Sequence, residues 1–144
     1  MIDSIDRTIL RELQRDGRQT NRELSQRAGL SANATGVRVK RLVENGYITG
    51  IHARLNQQAL GRPIETILEM RLARGAVSSD ASEFFLNDPR VVEAWQITGR
   101  TDYIVRVAAE STSDLHDLLQ ELTSRRGLAT DVVTSLVLER IWAQ

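Results

Sequence analysis

Two stretches of this chain place polar and charged side chains at spacings that can do chemistry, and both suit binding better than bond-making. The first is Ser31–Arg41: a hydroxyl at Ser31, an amide at Asn33, small side chains at Ala32 and Ala34, an apolar Val37, and cations at Arg38, Lys40 and Arg41. On a helix, small residues allow the close approach that a DNA major groove demands. Asn33 can bond base edges there, and guanidinium groups can take guanine or phosphate. The second is Gly99-Arg100-Thr101-Asp102-Tyr103, where a glycine exposes backbone amides, Thr101 offers a hydroxyl and Asp102 a carboxylate. A small zwitterion needs such mixed partners, donors for its α-carboxylate and an acceptor for its α-ammonium. Taken alone, three cations on a helix describe an ordinary solvated face, and G-x-T-D between strands an ordinary turn.

Catalytic and metal chemistry find little support. His52 and His116 are the only histidines and lie far apart in sequence, and cysteine is absent. Neither H-E-x-x-H, G-x-S-x-G nor a P-loop pattern occurs. The chain therefore reads as a non-enzyme with no metal and no cofactor.

The elements that must carry the two stretches follow from periodicity. A chain of 144 residues holds one average domain or two small ones. Its net charge of zero hides a split: residues 1–55 carry ten Lys and Arg against six Asp and Glu, a net of +4, and the remainder carries nine against thirteen, a net of −4. A basic segment of that size is a phosphate-binding footprint. No apolar run approaches the roughly 20 residues that span a bilayer, and the N-terminus has acids where a signal peptide needs basic residues. No membrane association is expected, and a cytoplasmic location is.

Ile5, Ile9, Leu10 and Leu13 recur at helical spacing, with Asp3 or Ser4 as cap and Gly17 as stop. Thr20 and Glu23 form a capping box for a second helix that ends at Gly29. Ser31 caps a third, with Thr35, Val39, Leu42 and Val43 inward and Asn45-Gly46 as its end. The short Gly29-Leu30-Ser31 link makes helices two and three a helix-turn-helix. Gly36 reads as a point of close backbone approach, and Tyr47–Leu55 alternates like a strand or wing.

Beyond a hinge at Ala59–Pro63, Ile64, Leu68, Met70 and Leu72 alternate with Glu65, Glu69 and Arg71, as in a strand with one buried face. A helix over Ala81, Phe84 and Phe85, strands at Val91–Thr98 and Tyr103–Val107, a helix capped by Ser113, and a last strand at Val132–Ile141 complete a β-α-β-β-α-β order. That order is ferredoxin-like, with helices on one face of an antiparallel sheet. The other face must be covered, and a homodimer is the economical solution, with Trp95 and Trp142 as candidates for its surface.

Four segments taken in order resemble the Lrp/AsnC, or feast/famine, transcriptional regulators: IDRTILRELQRDGRQTNRELSQRAGLS, RVKRLVENGYITGIHARLN, Ala59-Leu60-Gly61, and GRTDYIVRV at 99–107. The resemblance spans nearly the whole chain. It implies an α+β protein with an N-terminal winged helix-turn-helix DNA-binding domain (1–50) and a linker strand or hinge (51–62). A C-terminal ferredoxin-like βαββαβ domain (63–144) would bind effector and drive oligomerisation. It further implies double-stranded DNA as partner, homodimers assembling into tetramers or octamers, and an amino-acid effector held between dimers. The expected DNA contacts are Ser31, Asn33, Ala34, Val37, Arg38, Lys40 and Arg41. Gly99, Asp102 and Tyr103 match the family's effector loop and Thr134-Ser135 its facing strand; Arg100 and Thr101 complete the loop, Arg100 replacing an acidic residue common there. The competing reading is a stand-alone amino-acid sensor or oligomerisation protein whose helices dock a protein partner, and the charge split counts against it.

Overall fold

A computed structural model describes residues 1–141, which fold as two units that divide between Arg54 and Leu55. The first unit is helical: α1 (Ser4–Arg15), α2 (Asn21–Ala28) and α3 (Ala32–Glu44). Each helix begins where a side chain satisfies an orphan backbone N–H. Asp3 caps α1 and shares a reciprocal box with Asp6, Thr20 shares one with Glu23 on α2, and the Ser31 hydroxyl accepts from the Ala34 N–H at 3.2 Å. Gly29 ends α2 with φ +66°, a left-handed conformation that strains any side-chain-bearing residue. Ile9, Leu24 and Leu42 form the fully buried centre, flanked by Ile5, Leu10, Leu13, Val39 and Ile48.

Residues 47–55 do not form the expected strand. A strand requires a partner ladder, and this unit has only helices among its described elements. The segment is held instead by side chains. Ile48 joins the helical core, and Ile51 lies so close to Gly17 that a Cβ there would come within 2.7 Å of its Cγ2. Residues 57–61 form turns, with the Arg62 N–H donating to Gln57 O at 2.9 Å.

The second unit contains β1 (Ile64–Leu72), α4 (Ser78–Asn87), β2 (Val91–Gln96), β3 (Tyr103–Ala109), α5 (Thr112–Gln120), a π-helical turn at Glu121–Arg125, and β4 (Ala129–Leu136). The sheet order is β2-β3-β1-β4 with every pair antiparallel, the ferredoxin-like arrangement. Leu68, Met70, Val105 and Val107 meet Phe84, Phe85, Leu118 and Leu122 from the helices. Several boundaries differ from the sequence reading: β2 stops at Gln96 instead of Thr98, β3 runs on to Ala109, and the start of α5 and both ends of β4 differ as well. Ser111, not Ser113, caps α5, because its hydroxyl reaches the Asp114 N–H at 3.1 Å while the Asp114 carboxylate reaches back to the Glu110 N–H. β4 runs from Ala129 to Leu136, whose register partner on β1 is Thr66, and one further bond, Val137 N–H to Glu65 O at 2.9 Å, follows its end.

The face away from the helices is uncovered. Cross-strand pairs place Trp95 beside Ile104, Ile67 beside Arg106, and Val133 beside Glu69, with Trp95 43% and Val133 51% exposed. Trp142 lies outside the described residues. No described helix is long and apolar enough to cross a membrane.

Candidate nucleic-acid interface and ligand loop

The cations of α3 are not equivalent. Arg38 donates through Nη1 to Asp3 Oδ2 at 2.7 Å and to Asp6 Oδ1 at 2.8 Å, and Arg41 donates through Nη2 to Asp6 Oδ2 at 2.7 Å. Asp6 is fully buried. Burial raises its pKa, but the Arg38 hydrogen bond, the Asp3 N–H and the Arg41 charge outweigh that and hold it below the usual carboxylate range. The Asp3 carboxyl is lowered as well, by the Asp6 N–H and then by Arg38, and the Arg38 guanidinium is raised by the same two acids.

Arg38 and Arg41 are thus engaged within the unit, where the sequence reading has them free for DNA. The signal was legible: Asp6 occupies the apolar stripe of α1 between Ile5 and Ile9, and a carboxylate there requires cationic partners. Two of the remaining expected contacts, Asn33 and Val37, point outward with Lys40 at i, i+4 and i+7, a single row along the helix. Val37 is 64% exposed, and the Lys40 ammonium lies 3.7 Å from Glu44. Ala34 is half-buried, and the Ser31 hydroxyl serves as the helix cap.

Gly36 faces α2 rather than the open side, since a Cβ built there would sit 2.8 Å from Asn21 Nδ2. That atom ends an exposed, movable side chain. Gly36→Ala is therefore expected to stabilise the unit by about 0.5–1 kcal/mol, the helix-propensity gain, as Asn21 swings aside. Urea titration checks this, and a loss of stability would show that Asn21 is fixed.

The Gly99–Tyr103 loop is tied to the end of β1. The Asp102 N–H donates to Met70 O at 2.9 Å, its carboxylate Oδ2 accepts from the Leu72 N–H at 2.8 Å, and its carbonyl accepts from the Ile97 N–H at 2.9 Å. Arg71, not singled out from the sequence, reaches across to donate to the Arg100 carbonyl from Nε at 3.2 Å and from Nη2. Gly99 is exposed with φ +129°, and Thr101 is half-buried.

The Tyr103 side chain, expected to serve the effector loop, is buried within the second unit. Its ring packs on Phe85 in the helix-covered core, and its hydroxyl bonds Ser78 and Ser82 of α4. The alternation of a strand decides this, because Tyr103 shares its side with Val105 and Val107. The same alternation separates Thr134, opposite Leu68, from Ser135, opposite Ile67, so the two side chains lie on opposite faces. Within one chain β4 is separated from β3 by β1 and does not meet the loop. A groove of about 620 Å³ along α4, lined by Asp80, Glu83, Phe84, Asp88 and Arg126, includes no residue of the loop. Among the described residues no cluster of three or more His, Asp or Glu could hold a metal ion.

Comparison with known proteins follows the same division. Residues 2–49 match the family described as winged helix-turn-helix DNA-binding, and residues 65–144 match the Lrp/AsnC ligand binding domain. The leucine-responsive regulatory protein of Rhizobium meliloti (strain 1021) is 38% identical over 146 residues, covering 97% of this chain and 91% of that protein. Its counterpart in Escherichia coli (strain K12) is 37% identical over 144 residues, covering 97% and 87%. Among solved structures, LrpC of B. subtilis superposes with a TM-score of 0.89 at 26% identity over 100% of this chain and 99% of that one. A Neisseria meningitidis transcriptional regulator in complex with L-Met superposes with a TM-score of 0.89 at 26% identity, covering 99% and 94%.

Proposed function

The chain belongs to the Lrp/AsnC family of DNA-binding transcriptional regulators, and from that premise we propose that it grips duplex DNA through the outward row of α3, as a homodimer tuned by a small amino acid. The observation that carries this is the row itself: Asn33, Val37 and Lys40 on a helix held by a capped turn, within a segment of net charge +4. Asn33 suits an adenine edge, Val37 a thymine methyl, and Lys40 a phosphate. Two half-sites about one helical turn apart, or a multiple of it, match a two-fold dimer. Further assembly into tetramers or octamers would wrap longer DNA. The protein acts in the cytoplasm, as a binding protein rather than an enzyme, and uses no cofactor.

Fluorescence anisotropy against duplex from upstream of its own gene and a shuffled control, across a salt series, tests the reading. Preferential binding that weakens steeply with salt is expected, because phosphate contacts release counterions. Equal or absent binding to both duplexes by folded protein would overturn it.

For the effector, a small L-amino acid fits the loop, which offers the exposed Gly99 backbone, the Thr101 hydroxyl and the second oxygen of Asp102. The Neisseria neighbour's L-Met complex supports that class of ligand. Coupling between such a pocket and DNA is typically worth 1–3 kcal/mol. Asp102→Ala is expected to abolish the change in anisotropy produced by a pool of amino acids while leaving unliganded DNA affinity within about twofold. A variant with the full response would remove Asp102 from the pocket.

A further inference from the structure

We propose that Asp6, aided by Asp3, sets the DNA selectivity of α3 by withholding Arg38 and Arg41 from the phosphate backbone. The inference rests on α3 being the DNA-facing helix. Guanidinium is the side-chain group best matched to both phosphate oxygens and the guanine edge. Two of the three cations on this helix are nevertheless turned to carboxylates of α1, with three donor–acceptor distances of 2.7–2.8 Å. Buried ion pairs add little net stability, since desolvation offsets most of their attraction. Arg38 and Arg41 are the partners a fully buried Asp6 requires, so what calls for another explanation is the carboxylate itself, at a position where an apolar residue would serve stability as well.

Their effect on the surface is specific. With both arginines held by carboxylates, the outward row of α3 presents an amide, a branched apolar side chain and one ammonium, and that ammonium is itself 3.7 Å from Glu44. An amide and a methyl-bearing side chain read bases, whereas freed guanidinium groups would add attraction to any sequence. Selectivity is the ratio of specific to non-specific affinity, and it falls only when a freed guanidinium gains more on mismatched duplex, where it can take phosphates or guanine edges in registers the base-reading row does not fit, than on the matched site. In this role Asp6 acts as an internal substitute for phosphate. It is a positioning residue that touches no DNA.

The most sensitive probe is Arg41, which is half-exposed and gives Asp6 a single nitrogen. Salt dependence of binding is to be measured for wild type, Arg41→Gln, Asp6→Asn and the double variant. The probes are a duplex selected by the wild-type protein from a random pool and a shuffled duplex, with a thermal melt of each protein. Each phosphate contact on B-DNA contributes about 0.9 to the slope of log K against log salt. Arg41→Gln is expected to leave the slope unchanged. Asp6→Asn is expected to steepen it by about 0.9–1.8, to tighten binding to the shuffled duplex at least threefold at low salt, and to lower the selected-to-shuffled ratio. Adding Arg41→Gln to Asp6→Asn should remove about 0.9 of the gain, which a purely structural role for Asp6 would not do.

A slope lower by about 0.9 in Arg41→Gln alone would place Arg41 on a phosphate in the native protein and overturn the proposal. So would a folded Asp6→Asn with native slope and ratio. Should Asp6→Asn fail to melt cooperatively, the Arg41→Gln result decides. Wild-type protein with no salt-dependent duplex binding would instead refute the reading of α3 as a DNA helix.

Discussion

Leu42→Ala is expected to unfold the helical unit alone and to abolish duplex binding. Leu42 is one of three fully buried side chains, with Ile9 and Leu24, at the centre of a unit of 54 residues. Truncating a buried leucine costs about 2–5 kcal/mol, the lost transfer energy plus the cavity left behind. A domain of this size has a total stability of the same order. None of the buried residues around Leu68, Phe85 and Leu118 belongs to that cluster, so the second core keeps its packing. Trp95 stands on β2 of the second unit, so in a Trp142→Phe background tryptophan fluorescence reports on that unit. The expected melt shows an early loss of helical circular dichroism with an unshifted fluorescence transition. A single transition displaced in both signals would show that the two cores unfold together.

Val133→Arg is expected to yield a folded monomer. Val133 stands on the uncovered face of the sheet, directly across from Glu69 on β1, so an arginine there gains a cross-strand partner within its own chain. Covering that face with a second copy would then bury a guanidinium and a carboxylate. The desolvation is put at about 3 kcal/mol or more, which weakens the dimer by at least about 100-fold. Sedimentation velocity should show wild-type protein as a dimer or larger and the variant at the 16.2 kDa of one chain. Affinity for a two-half-site duplex should fall with it, since the second half-site is no longer tethered to the first. A variant that stays dimeric would move the interface off this face.

What the sequence determined by itself is what short-range physics controls. Helix starts at Thr20 and Ser31 and the stop at Gly29 are legible because capping joins residues no more than three apart and a left-handed stop favours glycine. The order of strands and helices in the second unit is legible because each buries one face at its own period. Even there Ser111 displaced Ser113 as the cap of α5, since two serines within three residues offered rival starts and only one had an Asp three positions on.

The tertiary structure decided which side chains are left to act. Asp6 in the apolar stripe of α1 marks a need for cations, but only the fold shows that Arg38 and Arg41 meet it, since their acceptors lie 32 to 35 residues away. Gly36 turned out to serve α2, and residues 47–55, though patterned as a strand, found no partner to pair with. In the second unit a loop of matching composition divides into an anchored Asp102, bonded across to β1, and a Tyr103 turned into the core. The reason is common to all of these. A side chain's availability depends on the charge, the ladder or the cavity facing it across the fold, and those are set by pairings between segments distant in sequence.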